Sequence, residues 1–374
     1  MPLSAEDDLR LNVLLANELQ AIRIDEGPMV LHALSPRGEA RLKLSPNDRA
    51  DRYLRQVRET ISGHVLGSPG GYPVYITRWT RTGQINTRLE DLLRLGEPEA
   101  VVAVVHADGL TDELARRAWW CLPTSENARK MLARACVAQG AMGPVLADFL
   151  VEFLPFEEDP AHAMESVRLV LRFPGLVDAD TRDRLWKAGQ RKNALRVGFL
   201  AATPDDLPET HPPHPVLAEH ADALANQTAQ GNPLAERLAW ALGGNGQAYI
   251  ATARAILDKP STQQVVSGLL NVLSERFSIR DPRERLDLRS REIEDIHAEV
   301  EALMGDDDAM VRPILASAPA LREELAGLLT LARCNEAVVT QVFAHSDAVG
   351  SVMRRQIKPL TDHLFRHFDR LQGR

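Results

Sequence analysis

Thr111-Asp112-Glu113-Leu114-Ala115-Arg116-Arg117-Ala118-Trp119-Trp120-Cys121-Leu122-Pro123 is the stretch on which the fold turns. A hydroxyl residue followed by an acidic turn predicts a capped helix start. Leu114, Ala118, Cys121 and Leu122 then keep helical spacing, and Pro123 stops the run. A second helix is predicted from Thr124-Ser125-Glu126 and a third from Pro144, its stripe carried by Val145, Leu146, Phe149, Leu150, Phe153 and Leu154. Leu154-Pro155 closes the set. Helices that each bury one stripe against the next build a scaffold or a binding surface more readily than a reaction centre. The expected fold is mainly α, a helical-repeat-like (α-solenoid, HEAT-like) stack.

Residues 1–96 read differently, as a small α+β region. A short helix is expected over 9–19 and an alternating strand over 21–25, turned by Gly27-Pro28. Segments 29–34 and 39–44 flank Ser35-Pro36-Arg37-Gly38 as a hairpin, and a helix over 48–62 carries Leu54, Val57 and Ile61 on one face. A glycine-rich loop at 67–71 leads into a second alternating run at 72–80. From Leu89 to Val101 the wording resembles one HEAT unit, a Leu-rich helix, a Gly96-Glu97-Pro98 turn and an Ala/Val-rich helix. Val101-Val102-Ala103-Val104-Val105 also fits a buried strand, and periodicity does not separate the two.

Further helices are expected over 164–173 and 181–191. The prolines Pro204, Pro208, Pro212, Pro213 and Pro215 then mark an irregular segment and the best internal boundary. Beyond it the chain is helical again. Gly243-Gly244-Asn245-Gly246 separates two helices, 265–277 is strongly periodic, and 283–304 reads as one long charged helix. A last helix bears Ile357, Leu360, Leu364, Phe368 and Leu371. The expected organisation is an α+β region over 1–96, a helical repeat-like domain over 97–208, a Pro-rich linker over 209–215 and a C-terminal helical domain over 216–374.

A chain of 374 residues buries a large core without disulfides or metal. The start, MPLSAEDDLRLN, is acidic where a signal peptide would be basic, and no stretch has the apolar length of a bilayer span, so a cytoplasmic location is expected. A net charge of −8 opposes general nucleic-acid binding. Basic residues Arg354, Arg355, Lys358, Arg366 and Arg370 alternate with Asp362 and Asp369, which weakens a nucleic-acid reading further. The three cysteines, Cys121, Cys136 and Cys334, form neither a disulfide framework nor a zinc ribbon.

Each candidate for chemistry is weighed against a plain packing role. The 67–71 loop runs into a strand pattern, whereas a phosphate loop must open a helix. His211, His214 and His220, with Asp205, Asp206 and Glu209, sit in an exposed linker without a rigid ligand geometry. His363 and His367 have the four-residue spacing of a metal pair but lie on a packing helix, as core-edge histidines. Asp306-Asp307-Asp308 lacks the alternating ligands of a calcium loop. No catalytic residue, metal site or cofactor is called for. The most unusual local sequence is Arg116-Arg117-Ala118-Trp119-Trp120: tryptophan and arginine dominate interface hot spots, so these four large side chains are a candidate interaction patch. The plainer alternative is that both tryptophans pack between helices while the arginines are solvated.

The strings GLTDELARRAWW (109–120), ENARKML (126–132), ISGHVLGSPGGYPVY (61–75), QGAMGPVL (139–146) and LVEFLP (150–155) resemble the DsrS family, a likeness that runs through about residue 208. The resemblance implies a cytoplasmic accessory or regulatory protein of sulfur oxidation. Its kin are encoded beside the reverse-acting dissimilatory sulfite reductase and its sulfur-trafficking partners, and it transfers no active-site residues. The expected function is therefore non-catalytic recognition of a protein partner of the Dsr system. A second reading is a persulfide carrier using Cys121 or Cys136, which would need an exposed thiol with a pKa lowered by Arg116, Arg117 or Arg134. A third is regulation through nucleic acid.

Overall fold

The computed structural model describes residues 3–67, 88–279, 291–305 and 308–374. Among them the chain is mainly helical, with a small three-stranded antiparallel sheet near the N-terminus. It divides into two compact units, Met1–Phe153 and Leu154–Arg374.

In the first unit, helix α1 (Ala5–Leu15) begins earlier than the apolar run suggests. The Ser4 Oγ accepts the Asp7 N–H at 3.2 Å, and Glu6, Asp7 and Asp8 fill the first turn, so the cap and not the leucines sets the start. Strands β1 (Ala21–Asp25), β2 (Val30–Ser35) and β3 (Gly38–Lys43) form a meander. The register pairs Ile22 with Ala33 and Leu31 with Leu42, which places these side chains on one face. Helix α1 and helix α2 (Ala50–Leu66) cover that face, with Leu11, Leu15, Tyr53, Leu54, Val57 and Ile61 in the same core. Asp7 is buried inside it, accepting the Ser45 N–H at 2.7 Å and the Tyr53 hydroxyl. The expected strand at 72–80 lies outside the described residues.

Helix α3 (Leu89–Leu92) is followed by Gly96 at φ +68, the turn that leads into α4 (Pro98–His106). The valine run is therefore helical. Pro98 supplies a ready-made first turn, and Ala100, Val101, Val104 and Val105 bury one stripe at helical spacing. Helix α5 (Asp112–Cys121) is capped by Thr111, whose Oγ1 accepts the Leu114 N–H at 3.2 Å. Helix α6 (Ser125–Leu132) is capped in the same way by Thr124 on Asn127. A short α7 (Ala135–Ala138) precedes α8 (Met142–Phe153), which starts before Pro144 because Asp112 reaches across to accept the Ala141 and Met142 N–H groups at 2.9 and 3.1 Å.

The second unit opens with a 3-10 turn (Leu154–Phe156), then α9 (Pro160–Leu171), α10 (Ala179–Ala188) and α11 (Ala194–Ala202). Residues 203–214 are irregular and lie inside this unit. They are anchored rather than loose: Asp205 accepts from Trp240 and Arg276, Glu209 from Trp186 and Arg196, and Arg182 binds Asp206. Leu207 and His214 are buried, while Asp205, Asp206, Glu209, Pro212, Pro213 and Pro215 are exposed. The acids meet arginines and tryptophans that only the folded chain brings near.

Helices α12 (Leu217–Ala229), α13 (Pro233–Leu242) and α14 (Gly244–Asp258) follow. The expected four-residue glycine separator shrinks to Gly243, since Gly244, Asn245 and Gly246 belong to α14. Helix α15 (Gln263–Phe277) matches its periodicity; of the long charged helix, α16 (Ile293–Gly305) is described and 280–290 lie outside. Then come α17 (Val311–Ser317), α18 (Arg322–Leu331), α19 (Ala337–Ala344) and α20 (Gly350–Leu371). Helix α20 returns to α14, where the Gln247 Nε2 donates to the Leu371 carbonyl at 2.7 Å and the Arg254 Nε to Asp369 at 3.1 Å. Among the described residues, no helix is long and apolar enough to cross a membrane.

Candidate functional site

Adjacent helical positions point about 100° apart, so the tryptophan pair of α5 meets two different neighbours. Trp119 turns to α8 and sits edge-on to Phe149, ring centroids 4.8 Å apart at 76°. Trp120 turns to the sheet. The Arg23 guanidinium lies over its ring at 4.8 Å, the Arg23 Nη1 donates to the Trp120 carbonyl at 3.2 Å, and the indole Nε1 donates to Glu39 Oε1 at 2.6 Å. Both rings are half-buried.

The arginines of the patch are paired with carboxylate. Glu113 accepts from Arg116 Nε and Nη2 at 2.7 and 2.8 Å and from Arg117 Nε at 2.8 Å. Those bonds, Arg116 first, hold its carboxyl down at about 2. Arg116 also reaches Gln20 Oε1 at 3.1 Å. The result is a polar, partly exposed ridge of Arg116, Trp120, Arg23 and Glu39, fixed at both ends of the indole. Reading the sequence alone misses Arg23 and Glu39, because no local pattern ties them to Trp120. They lie 97 and 81 residues away.

The thiols divide sharply. Cys121 is half-buried, its Sγ directed to the Ile22 carbonyl at 3.5 Å, and the burial of its thiol pushes its pKa up to about 12. The cation acting on it is Arg23 of the sheet, not Arg116 or Arg117, whose charge Glu113 takes up. Cys334 is fully buried and also pushed up to about 12. Cys136 is exposed, with its Sγ 3.4 Å from the Leu110 carbonyl. A disulfide reagent at pH 8 should therefore modify Cys136 on the order of a hundredfold or more faster than the other two, because the thiolate is the reactive form. The Cys136→Ser variant should release almost no colour until denaturant is added; a rapid native reaction in that variant would contradict the burial of Cys121.

In the second unit, His297 of α16 joins His363 and His367 of α20, which the sequence paired but could not connect to a third ring. The His297 and His367 Nε2 atoms are 3.0 Å apart, and the His297 and His363 ring centroids 5.3 Å. His367 is buried, and its Nδ1 has no hydrogen-bond partner. A proton costs less on Nε2 than on that orphan nitrogen, which assigns His367 as donor and the His297 Nε2 as acceptor. A metal on the His367 Nε2 would force the proton onto Nδ1, where nothing accepts it, so the arrangement suits a hydrogen-bonded helix contact better than ligation. Among the described residues, no group of three or more His, Cys, Asp or Glu side chains is placed to hold a metal ion. His211 and His220 do not join the cluster, and His214 turns inward to accept the Val216 N–H at Nδ1.

No family model, curated protein or solved structure matches this chain.

Proposed function

We propose that this chain is a non-catalytic accessory protein of sulfur oxidation. It acts in the cytoplasm and recognises a protein partner of the dissimilatory sulfite reductase system through its stacked, repeat-like helices. The observation that carries the reading is the α5 ridge. Trp120 is clamped between Arg23 and Glu39, with Arg116 beside it. A partly exposed aromatic flanked by fixed arginines suits a protein-binding hot spot, because little side-chain freedom remains to be lost on docking. The DsrS-like strings, which include Arg116 and Trp120 of the ridge, supply the biological setting.

The test is capture of the tagged chain from sulfur-grown cells, beside Trp120→Ala and Arg116→Ala variants checked for an unchanged melting temperature. Co-recovery of a Dsr-system protein by the parent chain, reduced about tenfold or more in either variant, is expected. Recovery of no Dsr-system protein, or undiminished recovery by both variants, would overturn the proposal.

A further inference from the structure

In the second unit, helices α11, α13 and α15 line an open pocket of about 250 Å³ with two guanidinium groups in its wall. Arg276 of α15 is held rigidly. Its guanidinium lies 3.8 Å from the centre of the Trp240 ring, and its Nη2 donates to Asp205 Oδ1 at 2.6 Å. The Trp240 Nε1 donates to the same oxygen at 2.5 Å, and the ring leans on Tyr249 and Phe277. Arg237 of α13 is different. Half-buried beside Arg276, it forms no hydrogen bond or ion pair among the described residues. The Nε atoms of both arginines are buried without an acceptor.

Among the described residues no acid is bonded to Arg237, and Glu236 and Asp205 act on it only from a distance. Asp205 is engaged by Arg276 and Trp240, while Glu236 and Glu275 are exposed on α13 and α15. Burial, and then the like charge of Arg276, press the Arg237 guanidinium below its ordinary value. A guanidinium withdrawn from water without a partner destabilises a fold, and a carboxylate offsets that cost by taking the planar fork in two charge-assisted bonds. The remaining wall is apolar at Leu200, Ala201, Pro204 and Val272 and includes the exposed Glu275.

We propose that this pocket binds a small organic monocarboxylate, its carboxylate on Arg237 and the spare donors of Arg276, its short apolar body against Leu200, Pro204 and Val272. Arg237, to which no acid is bonded among the described residues, offers its fork to one carboxylate, and the apolar part of the wall favours an organic acid over an inorganic anion. This proposal does not depend on the accessory role above.

Butyrate is the probe, titrated into the full chain by calorimetry and followed by saturation-transfer NMR. n-Butanol and inorganic phosphate at matched ionic strength serve as comparisons. Butyrate should bind saturably and at least about tenfold more tightly than either comparison, and Arg237→Met should weaken it about tenfold or more. The methionine keeps an apolar stem while removing the unpaired charge, so the ligand-free melting temperature of this variant should stay level or rise. Absence of butyrate binding, phosphate binding tighter than butyrate, or equal butyrate affinity in Arg237→Met would each overturn the proposal. So would a lowered melting temperature in that variant, which would mark Arg237 as a structural residue.

Discussion

Gly246→Ala should destabilise the second unit by about 3 kcal/mol or more, the size of effect expected when a rigid backbone must move. Gly246 lies in the first turn of α14, folded back on the end of α13. A methyl there would stand 2.1 Å from the Trp240 carbonyl oxygen and 2.6 Å from the Ala241 Cα. Neither atom can rotate aside. The helix junction would have to open, and with it the neighbouring Gln247 side chain, which ties the Ala241 and Leu371 carbonyls together. Gly198→Ala tests the same logic where α11 crosses α9, its methyl 2.6 Å from the Val167 Cβ and 2.8 Å from the Met164 carbonyl oxygen. Gly63→Ala is the control, since that helical glycine of α2 has open space around its Cβ position and should gain up to about 1 kcal/mol. Chemical denaturation of the three variants measures all of this. A Gly246→Ala protein as stable as the parent would refute the close approach of α13 and α14.

Acidification should weaken the second unit through His367. Its pKa falls to about 3 in the folded chain, chiefly by burial and then by the charge of His297, against about 6.5 when unfolded. The unfolded chain therefore binds the extra proton. The stability carried by the neutral ring is fully present above pH 6.5 and declines as pH drops from 6.5 towards 3. One site costs about 1.4 kcal/mol per pH unit over that range, so about 2 kcal/mol is lost by pH 5. His297 is lowered too, by burial first and then by His363, and adds to the trend in the same direction. Glu294 and Glu301 on α16, Glu323 on α18, and Arg366 and Arg370 on α20 complete the charged surroundings of the three rings. In denaturation series at pH 7.5 and pH 5, His367→Leu should remove most of the difference seen in the parent. An identical pH slope in the two proteins would sink the assignment.

Local signals were readable wherever the deciding contact lies within a few residues. The Thr111 and Thr124 caps and the Ser35-to-Gly38 turn are of this kind, because each rests on a bond between near neighbours in the chain. The valine run was ambiguous for the opposite reason. β-branched residues suit a strand, and what makes residues 98–106 helical is a buried stripe that takes shape only when other helices cover it. The candidate patch is legible as four residues of one helix, yet its geometry depends on Arg23 and Glu39 from the sheet. The basic neighbours proposed to activate Cys121 proved to be occupied by Glu113.

Capping chemistry and the three-to-four-residue repeat of apolar side chains were enough to read a mainly helical chain, and alternation with turn residues added a small N-terminal α+β region. Tertiary structure alone decided which charges meet. Arg276 found Asp205 from 71 residues away, His297 found His367 from 70, and Arg237 forms no ion pair among the described residues. The physical reason is range. Backbone hydrogen bonding and side-chain spacing act over about one helical turn, whereas the pairing and burial of charge depend on where distant segments come to rest.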